Sequence, residues 1–463
     1  MIKQHSYLTL PNILYRRVES KSYENLKWVL FNHDLADNLA LNRLHSDRGK
    51  HVLSGGSDSV DYFSQAYSGH QFGHFTTLGD GRALNVGEIE KDNTLYDVQL
   101  KGSGHTPYSR SGDGKATLYS MLREYLIGEA LYALNVPTSR TLSIIGTGEK
   151  VIRARTHKGA IASRIARSHL RIGTFQYAYV KGGIPLVKRL ADYAIEQLFP
   201  KHIGDYYGFF HEVIKRQAQL IAKWQSIGFI HGVLNTDNVF ISGESLDFGP
   251  CAFMDYYDPN TVYSSIDRLG RYKYSQQPII TSWNISKLAE TLYPLFDDNQ
   301  DLAIEKANKL ITSFEDIYTY YYHQEMSYKL GFKSPHNQLV HDLLHLMEVH
   351  TLDYTNTFIK LTKNQVNDLL EKEGFDIWYN SWQKAIKDFD KATTLMTKHN
   401  PIIIPRNHVV EEALSSFAFN DDDTLFQHLL TFVKNPFNYQ VELPEKFQTP
   451  NPNDEKYVTY CGT

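Results

Sequence analysis

His231-Gly-Val-Leu-Asn-Thr-Asp237-Asn238, followed nine residues later by Asp247-Phe248-Gly249, is the stretch that decides how this chain is read. It holds two hard oxygen ligands, the Asn238 carboxamide and the Asp247 carboxylate, which are donor types suited to Mg²⁺. A second carboxylate, Asp237, stands beside Asn238, close enough in sequence to face an incoming hydroxyl. Either motif alone matches by chance, the bland reading being a polar turn at Asp237-Asn238 and a turn-capping Asp247. Their order carries more weight. An amphipathic helix precedes them, and an expected small hairpin separates them, made of Val239-Phe240-Ile241, a Gly243-Glu244 turn and Leu246.

The spacing is that of a kinase catalytic loop, in which H-R-D-x-x-x-x-N ends on a metal-binding Asn and D-F-G follows. His231 and Asn238 keep the separation of seven, but Val233 stands where the usual base belongs. The metal pair is kept and a carboxylate has moved to Asp237. This pattern points to a kinase-like nucleotide site with chemistry other than ordinary phosphorylation. His231 itself reads as a structural loop histidine.

Upstream, Phe210, Val213, Gln217, Leu220, Ile221 and Trp224 follow the 3.6-residue period, and Gly228 is a natural stop. Nearer the N-terminus, Gly79-Asp80-Gly81-Arg82 is a glycine turn, and Leu84 and Val86 then alternate with Ala83 and Asn85. Asp97-Val98-Gln99-Leu100-Lys101 alternates again, setting Gln99 and Lys101 opposite Val98 and Leu100. A hairpin turning at Glu90–Thr94 is predicted. Gly102–Gly114 reads as a loop, and Asp113 is expected to open a helix running to about Leu134. Glu124 lies in its middle, Leu118, Leu122, Tyr125 and Glu129 form one stripe, and Pro137 ends it. Other expectations are a short helix near Tyr23–Phe31, strands at Ser143–Ile145 and Val151–Arg155, and helix from about Leu186. Ser282 to Leu430 should be mostly helical, with an extended tail over Asn435–Thr463. A strand-rich front and a helix-rich back predict a bilobed α+β fold with its site between the lobes.

The 463 residues are 42% hydrophobic and 22% charged, as in a folded soluble protein, and 31 Tyr and 24 Phe argue against disorder. A net charge of −4 provides no basic field for nucleic acid. Met1–Val18 has no long apolar run and nothing approaches a spanning helix, so neither a secretory signal nor a membrane is expected. Cys251 and Cys461 cannot form a disulfide framework, and a reducing cytoplasm is the default location.

Phosphorus transfer needs cations around phosphates, a metal held by oxygen, and a group that positions the nucleophile. Lys101 and Glu124 form a candidate pair, against a simple solvated lysine. Gly79-x-Gly81 with Arg82 is a candidate phosphate turn, and Asp113-Gly114 has a helix N-cap as its plain alternative. Ser163-Arg164-Ile-Ala-Arg167-Ser-His-Leu-Arg171 is either a solvated basic face or a bidentate phosphate clamp.

With these residues in hand, the chain closely resembles the selenoprotein O family of kinase-like protein adenylyltransferases. The motifs are Tyr67-Ser-Gly-His-Gln-Phe-Gly73, Leu78-Gly-Asp-Gly-Arg82, Leu100-Lys-Gly-Ser-Gly104, Thr106-Pro-Tyr-Ser-Arg110, Gly112-Asp-Gly114 and Arg123-Glu124. Ser168-His-Leu-Arg171 with Gly173-Thr-Phe175, Asn235-Thr-Asp-Asn238, Asp247-Phe-Gly-Pro250 and the tail Tyr460-Cys-Gly-Thr463 continue the match.

The resemblance implies a protein-kinase-like bilobed fold. It would have a strand-rich N-lobe (residues 1–180), a C-lobe core with the catalytic loop (181–285) and a further helical C-terminal part (286–463). It implies ATP bound in a flipped orientation with Mg²⁺ or Mn²⁺, and AMP passed to Ser, Thr or Tyr hydroxyls of acceptor proteins by a monomer. For some bacterial members it implies UMP transfer with Mn²⁺, and the residues do not choose the nucleotide. Carried over by motif, Asp237 is the base, Asn238 and Asp247 hold metal, and Lys101 pairs with Glu124. Gly79, Gly81, Arg82, Asp113, Gly114, Arg164, Arg171 and Asp247 surround the nucleotide. The rivals are a conventional phosphotransferase, disfavoured by Val233, and a nucleotide-binding pseudokinase scaffold, which would not need a base. Many eukaryotic members carry selenocysteine near the C-terminus where this chain has Cys461. A Cys251–Cys461 disulfide that restrains the active-site loop is one expectation, and two unpaired thiols the other.

Overall fold

In the computed structural model, which describes residues 2–451 and 457–460, alternating side chains build the sheet that carries the site. Ten strands occupy the first part of the chain: β1 (Tyr15–Arg17), β2 (Lys27–Phe31), β3 (Phe63–Gln65), β4 (Ser68–Gln71), β5 (His74–Thr77), β6 (Ala83–Lys91), β7 (Thr94–Lys101), β8 (Ala116–Thr117), β9 (Arg140–Ile152) and β10 (Thr156–Ala166). Eight of them form one sheet in the order β1-β3-β6-β7-β10-β9-β2, with β8 on β10, and β4 and β5 form a separate hairpin. The pairings within the large sheet are antiparallel.

The predicted β6–β7 hairpin is present and turns at Asp92 and Asn93, both with positive φ, as Asp and Asn tolerate. Asn85 pairs with Gln99, Gln99 with Arg164, and Lys101 with Ala162, so the polar side chains share one face. Leu84, Val98, Leu100 and Ile161 face the other way and pack under α1 (His33–Leu39) in a buried cluster.

Several local expectations are corrected. Lys27–Phe31 is strand, because the Trp-Val-Leu-Phe run pairs along β9 and finds an apolar surface there. The two short strands expected at 143–145 and 151–155 are one long β9, and its partner β10 begins at Thr156. After α2 (Asp47–Val52), helix α3 is Leu118–Ala133. It starts at Thr117, whose Oγ1 accepts from Ser120 N at 3.1 Å, and not at Asp113. Asp113 instead meets Arg153 at 2.9 Å. α3 is apolar on most sides and is buried between the β9–β10 sheet surface and the helices Asn407–Asn420 and Thr424–Val433. Its Glu129, on the predicted stripe, is buried against Arg140 at 2.7 Å.

Helix α4 (Ile172–Leu198) begins before the expected Leu186 and is broken at Gly183, where φ is 61°, just ahead of Pro185. It packs with α5 (Tyr206–Ser226), α6 (Gln277–Leu292) and α7 (Gln300–Lys329) around the largest buried cluster. Eight further helices lie between Asn337 and Gln448 among the described residues. The chain is therefore α+β. The tail is not wholly extended, since Glu445–Gln448 is helical. Among the described residues no helix is long and apolar enough to cross a membrane.

Candidate functional site

The chain leaves α5 at Gly228, whose positive φ turns it into Phe229–Ile230, and this short strand pairs antiparallel with Ala252–Phe253. That pairing sets the 231–238 loop beside the 247–250 loop. His231 ties them together: its Nε2 lies 2.8 Å from the Leu246 carbonyl, and its ring stacks on Trp224. The expected hairpin at 239–246 does not form. Residues 239–241 pair instead with 170–172, through Ile172 N to Val239 O and Ile241 N to Leu170 O, both at 3.0 Å. This arrangement brings Arg171 under the 235–238 loop, where its Nη1 donates to the Asp237 carbonyl at 2.8 Å.

On the other side the β4–β5 hairpin presses on the same loop. Thr236 Oγ1 accepts from His70 N at 2.7 Å, and Asn235 Oδ1 accepts from Phe72 N at 3.0 Å. Asn238 Nδ2 donates to the Val233 carbonyl at 3.0 Å, so this bond does not use its carboxamide oxygen.

A cavity of about 360 Å³ opens between these loops and the polar face of the sheet. Gly81, Arg82, Lys101, Glu124, Arg164, Arg171, Asp237, Asn238 and Asp247 all line it. Lys101 Nζ contacts Glu124 Oε1 at 2.7 Å and also bonds Asp247 Oδ1. Arg164 Nη1 lies 2.7 Å from Asp247 Oδ1, and Arg171 Nη1 lies 3.5 Å from Asp247 Oδ2. The Phe248 N–H donates to Glu124 Oε1 at 3.0 Å. Arg164 and Arg171 are each 3% exposed, so the solvated-basic-face alternative is excluded for both. Gly79, Asp113 and Gly114 are not in this cavity. They line an adjoining cleft with Lys115 and Arg153, and Tyr67, Gln71, Gly81, Arg82 and Asp237 border both spaces.

The two aspartates have opposite electrostatics. Burial pushes the Asp247 carboxyl up, but Lys101, Arg164 and Arg171 outweigh it and hold the group well below the usual carboxylate range. Burial dominates at Asp237, with Asp247 adding repulsion, and its pKa is raised to about 6 against the pull of Arg171 and a Gln71 hydrogen bond. One carboxylate is thus kept ionised and the other is poised to exchange a proton.

Asp237 Oδ1, Glu124 Oε2, Arg164 Nε, Arg171 Nε and Asp80 Oδ1 are buried without a hydrogen-bond partner. An orphaned buried polar atom costs about 1–3 kcal/mol, so such a concentration around one cavity marks a place built for a polar, charged ligand. The Asn238 carboxamide and Asp247 carboxylate fit a hard divalent cation, and the guanidinium and ammonium groups fit phosphate.

Sequence reasoning assigned no role to three supporting features. Asp80 is 2% exposed, accepts from Gln65 N at 3.0 Å and sits 3.7 Å from Arg171. The signal was its place between the two turn glycines. Arg123, next to Glu124, is buried and donates to the Cys251 carbonyl at 2.6 Å and to Glu411 at 2.9 Å. The third feature, Gly69, has no room for a side chain against Asp237. Cys251 is buried, has no disulfide partner among the described residues, and burial pushes its thiol up to about 12; Cys461, the other half of the expected disulfide, lies outside the described residues.

Away from the cavity, the ligand atoms of His5, Glu88 and Asp97 lie within 4.8 Å of one another, all buried. His5 Nδ1 faces Glu88 at 2.9 Å and Nε2 faces Asp97 at 3.3 Å. One carboxylate thus stands beside each ring nitrogen, and Nδ1 also lies 3.2 Å from the Tyr7 N–H.

The sequence model described as protein adenylyltransferase SelO matches residues 3–434. Protein nucleotidyltransferase YdiU of Clostridium perfringens is 48% identical over 477 residues, covering 99% of this chain and 97% of its own. The YdiU protein of Anoxybacillus flavithermus is 48% identical over 474 residues, covering 99% and 98%. That of Bacillus cereus is 45% identical over 476 residues, covering 99% and 98%. A cationic cavity holding two aspartates of opposite character, on a chain matched almost end to end, has one family reading: the chain belongs to the SelO protein adenylyltransferases and is a nucleotidyltransferase.

Proposed function

We propose that this protein transfers AMP from ATP to Ser, Thr or Tyr hydroxyls of acceptor proteins, with the nucleotide flipped relative to a protein kinase. The observation that carries this reading is Asp237, a buried carboxylate with an orphaned oxygen and a pKa near 6. It borders both the cavity and the adjoining cleft, while Val233 occupies the usual base position. Asp237 takes the proton as the acceptor oxygen bonds to the α-phosphorus. The bond from that phosphorus to the β-phosphate bridge oxygen breaks, and pyrophosphate leaves. Arg164, Arg171 and Lys101 neutralise the phosphates, Lys101 being held in place by Glu124. Gly81 and Arg82 face the nucleotide from the turn, and Gly79, Asp113 and Gly114 hold its outer part in the cleft. Asn238 and Asp247 would hold Mg²⁺ or Mn²⁺, which would supply positive charge against the phosphates.

The antiparallel sheet ahead of α4 and the helices after it support a bilobed kinase-like arrangement. In it, residues 1–180 are the N-lobe, 181–285 the C-lobe core and 286–463 its helical extension. We read the protein as a monomer working in the cytoplasm.

Intact-mass spectrometry after incubation with an acceptor protein, ATP and Mg²⁺ or Mn²⁺ tests the reading. One AMP added by wild type, and lost in Asp237→Asn and Asp247→Ala, is expected. A phosphate added instead overturns the flipped orientation, and no addition to any of a panel of acceptors favours a scaffold.

A further inference from the structure

The two segments that brace the Asp237 loop also present apolar side chains to solvent. One is the β4–β5 hairpin, whose Phe75 is 44% exposed. The other is the loop 264–273. Its Ile266 lines the cavity yet is 50% exposed, and Leu269, three residues on, is 97% exposed. The two flanks are locked to each other and to the loop between them. Phe72 and Tyr272 are in ring contact at 5.1 Å, and Asn235 Oδ1 accepts from both Phe72 N and Tyr272 Oη. Single exposed hydrophobics are ordinary, but Ile266 at the cavity, Leu269 on the same loop and Phe75 on the bracing hairpin are apolar surface of the kind that contacts partners.

Among the described residues basic side chains predominate around this patch, and the exposed acid near His70, Glu290, is paired with Lys287. The loop's acid, Asp267, is turned inward, its two oxygens accepting from Arg271 N at 2.8 Å and Tyr272 N at 2.7 Å. That leaves Arg268 exposed and Arg271 half-buried over the Trp283 ring, with an unpartnered Nε. On the hairpin side Arg110 is exposed and holds the Thr77 carbonyl at 2.7 Å. A chain of net charge −4 therefore gathers arginines where an acceptor must enter.

We propose that this mouth docks the acceptor polypeptide and selects hydroxyls in segments that carry an apolar residue flanked by Asp or Glu. Leu269 and Phe75 take the apolar residue, and Arg268 and Arg271 pair with the acids. The proposal rests on Asp237 being the base that receives the acceptor hydroxyl. Hydroxyl selection by flanking charge is then a matter of complementary potentials, which set partner choice more than total affinity.

The test uses the full chain, ATP with Mn²⁺, and a set of fluorescent serine peptides differing only in acidic or basic flanks and in Leu or Ala at one flanking position. AMP incorporation gives kcat and KM, and anisotropy gives peptide binding separately. Wild type should favour the acidic, Leu-bearing peptide on the order of tenfold in kcat/KM, expressed in KM. Leu269→Ser should raise that KM roughly tenfold, the scale of one buried leucine side chain. Arg268→Glu with Arg271→Glu should invert the flank preference, while nucleotide affinity stays unchanged in all variants. Equal use of acidic and basic peptides, or an unmoved KM in Leu269→Ser, overturns the proposal. Concentration-dependent dimerisation abolished by Leu269→Ser, with peptide KM unmoved, assigns the patch to a second copy instead and also overturns it. Charge-selective peptide binding without AMP transfer leaves the docking surface standing and refutes the transfer reading alone.

Discussion

Gly69 abuts Asp237 so closely that a Cβ at position 69 would lie 2.2 Å from Asp237 Oδ1 and 2.7 Å from its Cγ. The β4–β5 hairpin is thus a wall against which the carboxylate is set, and the absence of a side chain at 69 defines where that carboxylate stands.

Gly69→Ala should therefore displace the Asp237 carboxylate while leaving the Lys101–Glu124–Asp247–Arg164 cluster in place. A displacement of this size costs on the order of 10²-fold in kcat. Nucleotide affinity should be preserved, and steady-state kinetics beside nucleotide titration would show the split. Equal loss in both would mean the hairpin supports the whole cavity rather than Asp237.

The pH dependence follows from the Asp237 pKa near 6. A base works as the carboxylate, so kcat/KM should be full above about pH 6 and fall about tenfold per pH unit below it. The Gln71 hydrogen bond lowers this pKa. Gln71→Leu should accordingly move the acidic limb to higher pH, and a pH–rate profile with an unmoved limb would count against Asp237 as the base.

His5 clasps the N-terminal segment to the sheet through Glu88 and Asp97. Burial alone would lower its pKa, but the two carboxylates outweigh burial and raise it from 6.5 to about 9. The folded value lies above the unfolded one, so this stabilisation is complete below about pH 6.5 and is lost as pH climbs through about 9. His5→Gln should lower the urea midpoint at neutral pH, by about 3 kcal/mol in unfolding free energy. The gap from wild type should then narrow between those two pH values. A gap that stays constant across them would show that the imidazole is neutral.

Arg123 joins the helix that carries Glu124 to three other parts of the chain. It donates to the Phe248 and Cys251 carbonyls and pairs with Glu411, which also accepts from Tyr457. Arg123→Met removes the donor held by the buried Phe248 and Cys251 carbonyls and should destabilise the fold by about 2 kcal/mol. Because Phe248 follows Asp247, the metal concentration needed for half-maximal activity should also rise, and Arg123→Lys should restore stability in part. Loss of stability with an unchanged metal requirement would make Arg123 purely structural.

Order and spacing were legible before any folding. The seven-residue separation of His231 and Asn238, the displaced carboxylate at Asp237 and the string of glycine motifs are sufficient for the family, because a motif needs only chain order. The β6–β7 hairpin and the buried stripe of α3 were legible for a similar reason, since periods of two and of about 3.6 residues report which side chains share a face.

Tertiary structure alone decided which charges meet. Nothing local distinguishes Arg164 and Arg171, nearly fully buried, from the less buried Arg167 between them. The difference arises when β10 pairs with β7 and when residues 170–172 pair with 239–241. The start of α3 went to Thr117 rather than Asp113 because Arg153, forty residues away, claims the Asp113 carboxylate. The Gly69–Asp237 contact and the His5 clasp join segments far apart in the chain. Their energies come from burial and from charge at short range, quantities that exist only after the chain has folded.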